Sequence, residues 1–372
     1  MRFVPGLLVF ASAAAATAAA VWGLGALLRP DAGQAGAWTE KRLAEATLQG
    51  RNVLFPAQVD EAMLRWLTAE TLEQAPDIAL LGSSHGLQIS SDYALPYRLQ
   101  NFAISGAGFP DHLVTTEILQ QRARRPRVWA VFVDPWFFDR TLDFLMWKPR
   151  ASQLSAMETR LAARQGEPFP TVFRERVKEM IRPKLGARYS IEPVLAGLDD
   201  LYQRHADTVV ETTPGDALGT VLRPDGAIEP AGGRAEIDAA EARALALTQY
   251  AQNRDRHRYG TFGRVDEEIW KVFEAWVALL QTEESQVIFL LSPYHPAIHP
   301  KAIADPNNHL VEIEARVRAL ASRQGIPVLG SYDPARAGVN DTQFVDGDHL
   351  RAEGLRLLLG SHLTDRATPA GR

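Results

Sequence analysis

Two short stretches of the chain carry groups suited to acyl chemistry. The first, Leu80-Leu81-Gly82-Ser83-Ser84-His85-Gly86, is an apolar run ending in small residues that bear two hydroxyls. A serine nucleophile needs such a place, exposed at the carboxyl edge of a parallel sheet with backbone N–H groups nearby. The same stretch also reads as a Ser/Gly turn capping a helix. The second stretch, Phe344-Val345-Asp346-Gly347-Asp348-His349-Leu350, sets a carboxylate and an imidazole three residues apart in one loop. An Asp there can hold the His in the tautomer that accepts a serine proton. Asp348 is a competing carboxylate, and the plainer reading is helix capping by either Asp, with His349 a surface group. His85 reads as a neighbour of the hydroxyls rather than a base, because adjacent side chains in an extended turn diverge.

The elements that must position these groups are short apolar runs closed by turn chemistry. Ile78 to Leu81 runs into Gly82, Asn101 to Ile104 into Ser105-Gly106, Val128 to Val133 into Asp134-Pro135, and Val287 to Leu291 into Ser292-Pro293. Continuous apolar strands suit a parallel sheet covered on both faces. Helical periodicity lies between them, as in Ile269, Val272, Phe273, Trp276 and Leu280, or Leu310, Ile313, Val317 and Leu320 ahead of Gly325. The alternation predicts an α/β, doubly wound parallel sheet flanked by helices. Residues 31–74 read as a linker and leading helix, 75–363 as the main domain, and 364–372 as a tail. Within the domain, residues 141–263 break the rhythm with Pro- and Gly-bearing stretches, an Asp225-Gly226 turn and an alanine-rich helix, and read as a mainly helical insertion. Its segment Val172 to Arg182 is amphipathic and basic, which fits a packed helix with a solvated side or a helix lying on a membrane surface.

The 372 residues are 46% hydrophobic, enough for a large buried core. The formal net charge is −5 and the basic residues are scattered, so there is no electrostatic footprint for nucleic acid. The absence of cysteine removes disulfides, thiol catalysis and cysteine-based metal sites. Phe3 to Leu28 is free of charge and mostly apolar, so residues 1–30 predict one N-terminal transmembrane helix, with a cleaved signal peptide as the competing reading. Either places the body of the protein outside the cytoplasm.

In order along the chain, Gly82-Ser83-Ser84, Asn101-Phe102-Ala103-Ile104-Ser105-Gly106 and Asp346-Gly347-Asp348-His349 resemble the blocks of the SGNH (GDSL-like) hydrolases. The resemblance covers roughly 77–139 and 284–363. It implies Ser84 as nucleophile, His349 as base with Asp346 as its orienter, and an oxyanion hole from the Ser84 and Gly106 amides. The family's third block brings an asparagine donor, whereas here the strand ends in Val133-Asp134-Pro135-Trp136. The Trp136 indole N–H is the expected substitute; without one, a lost donor can cost about a hundredfold in rate. The pattern looks closer to membrane-anchored envelope members, such as the D-alanyl-lipoteichoic acid transfer and alginate O-acetylation families, than to secreted lipases. That likeness implies an inner-membrane anchor, a periplasmic domain, acyl-bearing glycan or envelope polymers as substrates, and a membrane acyltransferase as partner.

Asp134, Tyr294 and His295 leave strand ends at the same rim and are expected to bind substrate. His295 and His299 do not suggest a metal site, because Pro296 and Pro300 break the helical spacing that such pairs use, and no cofactor motif appears. The expected function is a serine esterase or O-acyltransferase working through an acyl-serine intermediate. The alternative is a non-catalytic envelope assembly or glycan-binding protein on the same fold.

Overall fold

The computed structural model describes residues 38–56, 59–142, 146–165, 170, 172–173, 209–213, 219–230, 238–252, 256–360 and 362–367. The expected span at residues 1–30 and most of the basic segment 172–182 lie outside them. Among the described residues, no helix is long and apolar enough to cross a membrane.

Eight strands are described: β1 (Val53–Leu54), β2 (Ile78–Leu81), β3 (Leu99–Asn101), β4 (Val128–Phe132), β5 (Val221–Leu222), β6 (Ile228–Glu229), β7 (Gln286–Leu291) and β8 (Val328–Gly330). The main sheet has five parallel strands in the order β3-β2-β4-β7-β8. Ile78 stands beside Leu99 on one side and Val128 on the other. The remaining strands form a small antiparallel sheet, β1-β5-β6, in which β5 and β6 flank the Asp225-Gly226 turn.

Both faces of the main sheet are covered, which is why β2 and β4 are apolar at every position and β7 at every position after Gln286. Ala79, Leu81, Trp129, Val131, Val287 and Phe289 point into the larger core. That core is closed by α1 (Trp38–Leu48), α2 (Glu61–Thr71), α3 (Phe109–Gln121), α4 (Ala151–Gln165), α5 (Ala239–Ala251), α6 (Glu267–Leu280), α7 (His299–Ile303) and α8 (Leu310–Gln324). Their sheet neighbours Ile78, Leu80, Val128, Ala130, Ile288 and Leu290 face the other way. They pack on the β2–β3 connection and on α10 (Ala352–Leu359) and α11 (His362–Ala367), which follow the short α9 (Pro334–Ala337). The chain therefore winds outward in both directions from β2 and β4, and the carboxyl ends of those two strands flank the switch point where open α/β sheets form crevices.

One strand differs from expectation. The apolar run Asn101 to Ile104 was the expected β3, but the strand is Leu99–Asn101. The following residues still track β2, with Phe102 N donating to Leu80 O at 2.8 Å and Ile104 N to Gly82 O at 3.0 Å. Polar Gln100 and Asn101 hide the strand's start from a hydrophobicity reading.

Candidate active site

The turn that carries Ser84 is built by close packing. β2 is wholly buried, and a side chain at Gly82 would come within 2.9 Å of Phe132 on β4, so only glycine lets the strand leave there. Ser83 caps the 3₁₀ turn Ser84–Gly86 that follows. Fully buried Asn101 ties this turn to the end of β3: its amide nitrogen donates to Gly86 O and Ile89 O, each at 2.8 Å, and its oxygen accepts from Ala103 N at 2.8 Å. Ser84 is left half-buried at the head of the turn.

The second loop folds on itself. Phe344 and Leu350 form an antiparallel bridge, and the Asp346 Oδ1 atom accepts the backbone N–H groups of Asp348 (3.1 Å) and His349 (2.9 Å). This turn brings the Asp346 oxygens to 2.9 and 3.0 Å from His349 Nδ1, while His349 Nε2 lies 2.8 Å from Ser84 Oγ. Hydroxyl, imidazole and carboxylate thus form one chain of contacts of the kind used in acyl transfer. Burial opposes charge on His349, but Asp348 and Asp346 outweigh it and push the imidazole up to about 10. The carboxylates thus favour the charged ring, in which Nε2 carries a proton toward the serine oxygen. The neutral ring, with Nδ1–H held by Asp346, is the form that can take the serine proton.

Asp348 is the second carboxylate at this imidazole. It is buried, its Oδ1 lies 3.2 Å from His349 Nδ1, and its Oδ2 accepts from Arg258 Nη2 at 3.0 Å. Burial alone would raise it, but His349, His85 and Arg258 hold it well below the usual carboxylate range. On its far side stands His85, with Nε2 3.7 Å from Asp348 Oδ2 and Nδ1 2.8 Å from Asp134 Oδ1. His85, Asp348 and His349 offer three ligand atoms within 4.8 Å. They do not make a metal ligand set, because Arg258 already supplies the cation at Asp348 and both His349 nitrogens are engaged, Nδ1 by Asp346 and Asp348 and Nε2 by Ser84.

Gly106 has the left-handed φ of +66° in the loop that follows β3. Its neighbour Ser105 is gripped by Glu61, whose carboxylate accepts both the backbone N–H and the hydroxyl at 2.8 Å. Among the described residues, neither the Ser84 nor the Gly106 amide donates a hydrogen bond within the protein. Trp136 is buried and its indole N–H donates to Ala107 O at 2.8 Å, which corrects the expectation of a substitute donor there.

The three residues expected to bind substrate are all buried. Asp134 is buried against His85. Tyr294 is buried with its hydroxyl donating to Arg258 O at 2.5 Å, so it shapes the backbone that carries Arg258. His295 is buried against Phe344, and its backbone N–H holds Gly347 O at 2.9 Å. A strand exit brings the backbone to the rim but does not decide where each side chain turns. Sequence reasoning missed Arg258 and Gln249, whose Oε1 accepts Gly347 N at 3.3 Å. Both come from the expected insertion, far from the loop in sequence, and no motif signals them.

No protein-family model matches the chain, and no curated protein sequence matches it.

Proposed function

We propose that the chain is a serine ester hydrolase or O-acyltransferase of SGNH type. The observation that carries this reading is the Ser84 Oγ to His349 Nε2 contact of 2.8 Å, backed by Asp346 at 2.9 Å on the other ring nitrogen. Ser84 Oγ attacks the ester carbonyl as its proton passes to His349 Nε2. The oxyanion forms at the Ser84 and Gly106 amides, and the leaving alcohol takes the proton back from His349. Water or a sugar hydroxyl, activated by the same imidazole, then releases the acyl group from Ser84. With its charge-free N-terminal segment as an anchor, the domain would lie in the periplasm at the inner membrane and act on acyl esters of an envelope or exported polysaccharide, beside a membrane acyltransferase.

A second reading, a non-catalytic glycan-binding or assembly protein, is favoured by one observation. The indole N–H of Trp136, the donor expected from the third strand exit, is bonded to Ala107 O instead. A fluorophosphonate probe separates the two. Labelling that is lost in Ser84→Ala and kept in Ser83→Ala supports the enzyme. An unlabelled chain whose glycan binding survives Ser84→Ala supports the binding protein.

A further inference from the structure

Directly behind the triad lies a second imidazole paired with a carboxylate, which the mechanism above does not use. His85 is buried, with its side chain 2% exposed, and its ring centroid is 5.5 Å from that of His349. Its Nδ1 is held by Asp134 at 2.8 Å. Its Nε2 has no hydrogen-bond partner among the described residues and faces Asp348 Oδ2 at 3.7 Å. Asp348 therefore sits between two imidazoles and reaches the catalytic one through its other oxygen.

We propose that His85 is a positioning residue of the triad: an ionisable imidazole that, through the shared carboxylate of Asp348, sets how tightly His349 holds its proton. The proposal deepens the hydrolase reading and rests on it. A proton on His85 places a second positive charge beside Asp348 and opposes one on His349; without it, Asp348 acts on His349 with only Arg258 in competition. Full burial pulls the proton affinity of His85 down, but Asp134 and Asp348 outweigh that and leave it raised. The charged and titratable groups around the pair are Asp134 from the end of β4, Asp346, Asp348 and His349 from the catalytic loop, and Arg258 from the insertion. The hydroxyls of Tyr259, Tyr294 and Tyr332 also feel these carboxylates, and burial with the nearby negative charge raises all three, so they stay neutral throughout the range that matters. The remaining ring neighbours, Phe132 and Trp136, carry no charge.

The test follows the histidine rings of the full chain by NMR as pH is varied, with the His349 signal assigned by its loss in His349→Gln. In both His85→Gln and Asp134→Asn the His349 midpoint should move up by about one pH unit. Asp134→Asn keeps the ring and carries the expectation alone if His85→Gln does not fold. Ester turnover gives a second readout: the acid limb of kcat/KM should move up by the same amount, about tenfold in rate at neutral pH, with the alkaline plateau retained. A purely structural role would lower the plateau and leave the limb in place. A His349 midpoint that does not move in either variant overturns the proposal. Fluorophosphonate labelling of Ser84 scores the hydrolase reading separately: labelling with an unmoved midpoint sinks the His85 role alone, whereas a moved midpoint without labelling sinks the hydrolase reading and leaves the link between the rings standing.

Discussion

His112 and His349 are both enclosed by protein, and their surroundings drive them in opposite directions. His112, on α3, is fully buried against Phe137, and neither ring nitrogen has a hydrogen-bond partner among the described residues. Burial pushes it down to about 3, and the neighbouring Asp111 is pushed up to about 7 by the same cause. His349, 14% exposed, is raised to about 10 by Asp348 and Asp346. Burial removes charge where no opposite charge is supplied and concentrates it where two carboxylates converge. On the function proposed above, the imidazole in the core is a packing group and the one beside Ser84 is a reagent.

The sharpest way to break this contrast is to remove each ring in turn. His349→Ala should reduce turnover of a p-nitrophenyl ester by about 10⁴-fold, matching Ser84→Ala, and the double variant should be no worse than either single one, because the two act as a unit. His112→Leu should leave turnover within about twofold and stability equal or up to about 1 kcal/mol higher, since it removes two unpaired nitrogens from the core. If His112→Leu abolished activity, the division between packing group and reagent would collapse.

Next in size is Asp346→Asn, which should keep the fold and cut turnover by about 10²- to 10⁴-fold through loss of the preferred tautomer. Asp348→Asn should act differently. With one of two carboxylates gone, His349 should lose its proton at lower pH, and the acid limb of kcat/KM should shift down by about one unit. An unchanged limb would show that Asp348 does not reach the imidazole electrostatically.

The smallest effects are in stability against pH. For His112 the folded value lies below the unfolded one of about 6.5, so the unfolded chain takes up a proton first. Its contribution is therefore present above pH 6.5 and lost as pH falls, by about 1–2 kcal/mol near pH 5. Asp111 works against this over the same range, so the measurement is the difference in denaturant unfolding between wild type and His112→Leu. For His349 the sign reverses. Its stabilisation is complete below about 6.5 and is lost as pH rises toward 10, which the difference from His349→Gln should show.

Most of what positions the site could be read from the chain. The runs before Gly82, Asp134 and Ser292 end where β2, β4 and β7 end or within a residue or so, and the Asp346–His349 spacing closes into the turn that carries both groups. Hydrophobic runs report β2, β4 and β7 because these strands are packed on both faces. They say nothing about side-chain partners, which is why Trp136, Asp134, Tyr294 and His295 were expected at the crevice and are instead bonded or packed inward. Arg258 was invisible for another reason: it is 90 residues from Asp348 along the chain, in a stretch without periodicity, and only the finished fold joins them.

The grip of Glu61 on Ser105 extends the working part of the molecule upstream of the sheet. Glu61 opens α2, ahead of β2, the first strand of the main sheet, yet its carboxylate fixes the loop that carries Gly106. A fragment trimmed to begin at β2 would retain Ser84, Asp346 and His349 while leaving that loop untethered. It would then resemble an enzyme with a dead triad, although every triad residue was present. A shortened chain intended for crystallisation or assay should therefore begin ahead of α1.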